Sequence, residues 1–266
     1  MDTFVSVNNK DKYGEVLTPP FLVQQMLDDL KNIDNVVSLE QIKTVFEPGA
    51  GKGVFFDVFV NQNHCFSHHE NFKYILNEIN HEHLEDLQNT CQEYQQHTEI
   101  ILQNCLELND GDSCHADWFG NCDLVIGNLP FNCHTKKFVP SLAKNNKDDK
   151  SVTQSKSVTL WTKITHFCFE HVLKEDGYFF CIIPCIWLKP DRGGIYDLFT
   201  RNHSIILLKT FDCKTANMMF DYNCQTPMCY VLVQKTKMNN CGGGGGGDGG
   251  GDGDGDGDGT GKQFKL

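Results

Sequence analysis

Thirteen cysteines are scattered through this chain, yet no two are spaced as Cys-x-x-Cys. That absence removes the paired ligand spacings on which a structural zinc site is built. The odd count argues against a closed disulfide framework, and a chain of 266 residues can bury enough apolar surface to need no staples. The cysteines therefore read as reduced thiols, mostly packed as small apolar side chains. The nearest pairs are Cys181/Cys185, in an apolar strand-like run, and Cys224/Cys229, in a predicted hairpin. Long apolar runs are missing too, and nothing approaches the roughly 20 residues that cross a bilayer. The opening MDTFVSVNNKDKYGEV lacks the charged-then-apolar layout of a secretory signal. The expectation is a soluble, intracellular protein. Basic charge is in short supply: 23 Lys and Arg stand against 35 Asp and Glu, for a net charge of -12. That balance argues against a strongly basic, non-specific nucleic-acid binder, while a local patch stays compatible with it.

Composition breaks once, near residue 238. From Cys241 to Gly261 the chain is almost entirely Gly and Asp. Such a run has no apolar surface to bury, and glycine loses the most entropy on ordering. Residues 238–266 are expected to be a disordered tail, distinct from a folded unit over 1–237. The Asp-rich repeat lacks the closing Glu and flanking helices of a calcium loop.

Within the folded part, short apolar runs alternate with helical patterns. Strands are predicted at Thr44–Glu47, Phe72–Glu78, Glu99–Leu102, Asp123–Gly127 and Gly177–Pro184. Ser204–Phe211 and Met228–Val233 would form a closing hairpin. Helices are predicted over Pro20–Leu30, Gly53–Asn61, His81–His97 and Thr159–Leu173. Alternation of this kind gives a three-layer α/β domain around a seven-stranded, mostly parallel sheet. The hairpin would add an antiparallel edge strand. Residues 132–157 are polar, carry Lys136, Lys137, Lys144, Lys147, Lys150 and Lys156, and show no apolar period. A loop that long is either a solvated insertion or a lid that touches phosphates.

The turn after the first strand reads Phe46-Glu47-Pro48-Gly49-Ala50-Gly51-Lys52-Gly53. Glycines let the backbone approach a ligand closely at a helix start. A phosphate loop of the Gly-x-x-x-x-Gly-Lys-Ser/Thr type fails twice, at Phe46 and at Gly53. An acid at the mouth, Glu47, would repel phosphate but suit a cationic nucleoside such as S-adenosylmethionine, which carries a sulfonium and an ammonium. Glu78 ends the second strand, where an acid typically takes ribose hydroxyls. Asn104, just past the third strand, could reach an adenine edge.

The fourth strand ends Gly127-Asn128-Leu129-Pro130-Phe131. As local structure this is a turn. Its chemistry offers more. An amine conjugated to a ring is a poor nucleophile, and two hydrogen-bond acceptors on its protons release the lone pair. The Asn128 side-chain oxygen and the Leu129 carbonyl could be those acceptors. Pro130 would hold the turn, and Phe131 would offer a face for a planar group. Positioning and electrostatics suffice for an in-line methyl transfer.

These segments together resemble the amino-group methyltransferases, and among them the adenine-N6 DNA methyltransferases of restriction-modification type, including virus-encoded relatives. The resemblance rests on FEPGAGKG, on NLPF, and on Tyr13-Gly14-Glu15-Val16-Leu17-Thr18-Pro19, which is similar to the family's Gly-x-x-x-Thr-Pro motif. Leu160-Trp161 through His171 and Gly177 to Leu188 are similar to its helix before strand five and to strand five itself. The likeness covers residues 11 to 235. It implies a Rossmann-like class I methyltransferase fold and S-adenosyl-L-methionine as cofactor. It implies that Thr18 and Pro19 line the cofactor site, that Glu47, Pro48, Gly49, Gly51 and Gly53 hold the methionine end, and that Glu78 holds the ribose. Asn128, Pro130 and Phe131 would hold the target adenine, flipped out of duplex DNA. Leu129 departs from the family's usual Asn-Pro-Pro-aromatic, and Asn-Leu-Pro-aromatic resembles the ribosomal RNA adenine dimethyltransferases. RNA adenine, or a protein glutamine, is the alternative substrate, and a cofactor-binding subunit that needs a partner is the alternative to an enzyme. Restriction-type enzymes carry a sizeable recognition domain, and almost nothing follows residue 235 except the Gly/Asp tail. Recognition would then fall to the lysine-rich loop or to a partner subunit.

Overall fold

Thr44–Pro48 (β1) is buried along almost its whole length on both faces, and such a strand belongs in the middle of a covered sheet. The computed structural model puts it there. It describes residues 16–33, 41–62, 72–109, 117–133, 158–190, 193–221 and 224–237. Preceding β1 is the helix α1 (Pro20–Lys31). Pro20 opens it at a position where the missing N–H costs nothing. Leu22, Val23, Met26, Leu27 and Leu30 recur at helical spacing and are buried, each contributing roughly 1.5–3 kcal/mol on leaving water.

After β1 come α2 (Val54–Phe56), which continues as a wider π turn over Asp57–Gln62, then β2 (Lys73–Glu78), α3 (Leu84–Thr90) and β3 (Thr98–Leu102). The second half holds β4 (Cys122–Asn128), two-residue strands β5 (Asn132–Cys133) and β6 (Val158–Thr159), α4 (Leu160–Phe167) and β7 (Leu173–Pro184). It closes with α5 (Ile195–Asp197), β8 (Ser204–Phe211), α6 (Cys213–Met219) and β9 (Met228–Gln234).

Seven strands form one sheet in the order β3-β2-β1-β4-β7-β9-β8, and β5 pairs with β6 separately. β1, β2, β3, β4 and β7 are mutually parallel, while β9 is antiparallel to both β7 and β8. Alternate residues feed two cores. Val45, Tyr74, Leu76 and Leu124 pack under α1, and Phe46, Ile75, Val125 and Phe179 pack under α4. The three-layer α/β architecture predicted from the alternation is the one observed. Among the described residues no helix is long and apolar enough to cross a membrane.

Several predicted details differ. The antiparallel strand is not at the edge. β9 is buried along almost its whole length and lies inside the sheet, whereas β8 is half-exposed and forms the edge, parallel to β7. The apolar run MCYVLV leaves β9 no solvated side. The helix expected over His81–His97 is broken into a 3-10 turn (His81–His83), α3 and a second 3-10 stretch (Gln92–His97). Tyr94 leaves helical geometry within that stretch, at φ -122° and ψ 25°, and its ring packs edge-on to Phe56. Gly53 is left-handed and precedes its helix rather than starting it. β7 begins at Leu173, four residues before the predicted start, and its register against β4 slips between Cys122 and Leu124. Gly177 follows the slip because a Cβ there would stand 2.9 Å from the Cys122 carbonyl oxygen.

The sheet order reverses direction between β1 and β4. In open α/β sheets a ligand crevice opens at the carboxyl ends of the strands at such a switch point. The glycine turn ends β1 and Asn128 ends β4, so both predicted motifs meet there.

Candidate active site

The glycine turn is held from below by β2. Gly49 and Ala50 both donate their N–H to the Asn77 carbonyl at 2.9 Å. Gly51 N–H donates to Glu78 Oε2 at 2.7 Å. Glu78 Oε1 accepts from Ile79 N–H at 2.8 Å and from Asn80 N–H at 2.7 Å. Asn77 also reaches sideways, its Nδ2 donating to the carbonyls of Ile101 (3.2 Å) and Gln103 (2.9 Å). The ends of β1, β2 and β3 are thus laced together. Gly49 and Gly51 sit at φ +73° and +56°, a region that favours glycine. A Cβ on Gly49 would stand 3.4 Å from Pro130 Cδ, so the turn lies directly against the Asn128–Phe131 segment.

Glu47 is not at the mouth of this turn. It is buried beneath it, 1% exposed, with Oε2 accepting from the Tyr74 hydroxyl at 2.7 Å. Burial pushes its carboxyl up to about 8, the Tyr74 bond pulls it back, and the Glu78 charge adds to the rise. The expectation of an acid facing a cationic ligand differs from this placement. Here the side chain points to the α1 side of the sheet, where β2 supplies Tyr74.

At the end of β4, Gly127 stands so close to β1 that a Cβ would be 3.4 Å from the Pro48 carbonyl. Asn128 pairs in register with Ile182 of β7, and Leu129 N–H donates to the Ile182 carbonyl at 3.2 Å. Leu129 is buried, 1% exposed, in the core under α4, so its side chain faces away from the crevice. Pro130 and Phe131 are half-buried, and Phe131 packs against both cores. Asn128 Nδ2 donates to the Val16 carbonyl at 3.3 Å, whereas Asn128 Oδ1 is buried and has no hydrogen-bond partner. A buried acceptor left unpaired costs about 1–3 kcal/mol, which a bound donor would recover.

The remaining predicted residues are distributed as follows. Thr18 is buried and Pro19 caps α1, its carbonyl accepting from Leu22 N–H at 3.0 Å. Leu17 lies over the turn, its Cδ2 3.7 Å from where a Gly51 Cβ would be. Pro48 is buried between the ends of β1 and β4. Gly53, at φ +82°, faces Thr90 and Leu87 and serves the packing of α3. The Asn104 side chain is engaged locally: its oxygen accepts from Leu106 N–H at 3.2 Å, and its nitrogen donates to Glu107 Oε1 at 3.0 Å. Tyr13, Gly14 and Glu15, the lysine-rich segment 134–157 and the tail 238–266 lie outside the described residues. β5 and β6 pair as Asn132↔Thr159 and Cys133↔Val158, so the described residues on either side of 134–157 meet next to Phe131.

Three contributors are absent from the sequence-based expectations. Tyr74 and Asn77 look like ordinary members of an apolar strand, and Val16 acts through a carbonyl that every residue possesses. Only the Asn in an otherwise apolar strand end could have drawn attention to position 77.

No protein-family model matches the sequence, and no curated protein matches it either. Solved structures do match. A putative class I S-adenosylmethionine-dependent methyltransferase from Listeria monocytogenes aligns with a TM-score of 0.56 and 15% identity over 89% of this chain and 64% of its own. A type I restriction-modification methyltransferase subunit from Streptococcus thermophilus gives a TM-score of 0.56 and 18% identity, covering 86% of this chain and 47% of that one. A putative RNA methyltransferase from Pyrococcus horikoshii gives 0.50 and 15%, covering 85% of this chain and 88% of that one. The chain thus spans less than two thirds of the Listeria protein and about half of the Streptococcus subunit. Its fold is that of the class I S-adenosylmethionine-dependent methyltransferases.

Proposed function

We propose that this chain binds S-adenosyl-L-methionine and transfers its methyl group to an exocyclic amino nitrogen, the N6 of adenine in DNA. The observation that carries the reading is Asn128 Oδ1, a buried acceptor with no partner, at the switch point and against the glycine turn. An acceptor kept free in that position suits a ligand that brings N–H donors.

The glycine turn fits the cofactor. Gly49 and Gly51 hold left-handed conformations that favour glycine, so a ligand can lie on bare backbone. Glu78 has spent three acceptor positions on backbone N–H groups and keeps about one on Oε2, enough for a single ribose hydroxyl. Glu47 supports the turn from beneath. A cation seated above it lowers the cost of ionising that carboxyl. Thr18 and Pro19 close the site on the α1 side. When bound, the cofactor supplies a methyl group on a sulfonium.

The chain's own work is then positional. Asn128 Oδ1 and the Leu129 carbonyl accept from the two amino protons, drawing the nitrogen toward tetrahedral geometry. Pro130 limits the motion of that carbonyl, and Phe131 offers a face to the planar base. The proton released by the methylated nitrogen can leave to water. The catalytic unit in this reading is residues 1–237. Target recognition is assigned to a partner subunit or to the lysine-rich segment between β5 and β6. The type I subunit among the structural neighbours is in keeping with a DNA substrate and a partner.

The test is transfer of labelled methyl groups from S-adenosylmethionine to DNA, RNA and protein pools, by the wild-type chain and by Asn128→Ala. Label in DNA that is recovered as N6-methyladenine and lost in the variant supports the proposal. Label confined to RNA adenine or to protein glutamine would move the substrate to those polymers.

A further inference from the structure

The unpaired oxygen of Asn128 depends on what holds the other end of the same amide. A carboxamide has a donor end and an acceptor end, and rotation by half a turn exchanges them. The Val16 carbonyl can only accept, so by taking Nδ2 at 3.3 Å it leaves Oδ1 as the end without a partner. The next residue, Leu17, rests its Cδ2 over the glycine turn at Gly51. Thr18 is buried, and Pro19 is extended (φ -71°, ψ 137°) where α1 begins. One short stretch therefore touches the proposed acceptor with one residue and the proposed cofactor turn with the next.

We propose that Val16 and Leu17 are positioning residues that arm Asn128: seated on the glycine turn, they fix its amide with the oxygen toward the substrate amine. The inference rests on the reading of Asn128 as acceptor. With the segment seated, an amino group meets an acceptor. With the segment lifted, Nδ2 loses its anchor and the amide turns freely, in part presenting a donor to a donor. Occupancy of the turn and orientation of the amide become coupled, and such coupling is reciprocal: cofactor binding raises affinity for the amine substrate, and the substrate raises affinity for the cofactor.

Leu17→Gly removes the side chain that rests on Gly51 and loosens the backbone, and Leu17→Met restores a similar apolar volume. All measurements use the full chain, with thermal unfolding to verify that each variant is folded and Leu17→Ala as the milder replacement. The first readout is the side-chain amide of Asn128 in 15N-labelled protein, assigned by its loss in Asn128→Asp. It needs no activity, so it decides the inference even if the chain methylates nothing. Wild type should show one Nδ2 proton protected from exchange with water, protection that Leu17→Gly loses and Leu17→Met retains. The second readout is single-turnover methylation of adenine-containing duplex. The glycine variant should be slowed roughly 10- to 100-fold, less than the outright removal of a hydrogen-bonding group costs, with weaker substrate Kd in the presence of cofactor and with rescue by Met. An Asn128 amide that behaves identically in wild type and both variants, or a Leu17→Gly effect confined to cofactor affinity, overturns the inference.

Discussion

Replacing Glu47 by Gln probes the buried acid beneath the glycine turn. In the folded chain burial raises its carboxyl to about 8, partly offset by the Tyr74 hydroxyl and reinforced by Glu78, against 4.5 for the free group. The folded state therefore keeps a proton that the unfolded chain gives up. Stability from this group is complete below the unfolded value and is lost as pH rises through the folded one. Each pH unit in that window is worth about 1.4 kcal/mol, so wild type loses roughly 3 kcal/mol between about pH 5.5 and pH 8. For a chain of this size that corresponds to a midpoint shift of roughly 6–12 °C. The other groups around the acid do not confound the window. Burial raises Tyr74, Cys91 and Cys181, each with Glu47 contributing, so all three stay neutral through it. Gln keeps an oxygen for the Tyr74 bond of 2.7 Å and has nothing to titrate. The assay is thermal unfolding of both proteins across that pH range, read as the difference between the two curves. The difference should shift in favour of Gln by roughly 3 kcal/mol toward pH 8. Parallel curves would refute the placement of Glu47 as a buried, protonated acid.

Asn128→Ala should lower the methyl-transfer rate roughly 100- to 1,000-fold, the usual cost of one misplaced polar group at a reacting centre, with cofactor affinity by calorimetry nearly unchanged. Glu78→Gln turns an acceptor into a donor facing Gly51 N–H and should weaken S-adenosylmethionine binding roughly 10-fold or more, with a smaller change in thermal midpoint. An unchanged Kd would remove Glu78 from the cofactor site. Gly177→Ala drives a methyl group to 2.9 Å of the Cys122 carbonyl and 3.0 Å of the Lys174 carbonyl, both backbone. It should cost about 1–3 kcal/mol in urea unfolding, and a neutral result would contradict the close approach of β4 and β7.

The layered α/β class, the seven strands and the meeting of a glycine turn with Asn128 were legible because each rests on local information. Apolar runs separated by helical periods dictate a covered sheet, and turn residues mark where strands stop. Asn128 and its neighbours stood out because a polar residue followed by Leu-Pro-Phe at a strand end has chemistry beyond turning. What the tertiary structure alone decided lies between distant residues. β9 inserts between β7 and β8 because its apolar faces need cover on both sides, and a hairpin pattern does not say which of its strands is inner. Glu47 turned from a surface acid into a buried one because Tyr74, 27 residues away, stands on the same face of the next strand. Asn104, open by sequence to a ligand role, spends its side chain on the following turn. The Asn128 amide is oriented by a carbonyl 112 residues upstream, a backbone group with no residue type to betray it. Composition and periodicity specify which surfaces must be buried. Which polar atoms then face one another depends on strand order and register, and those arise only when the whole sheet closes.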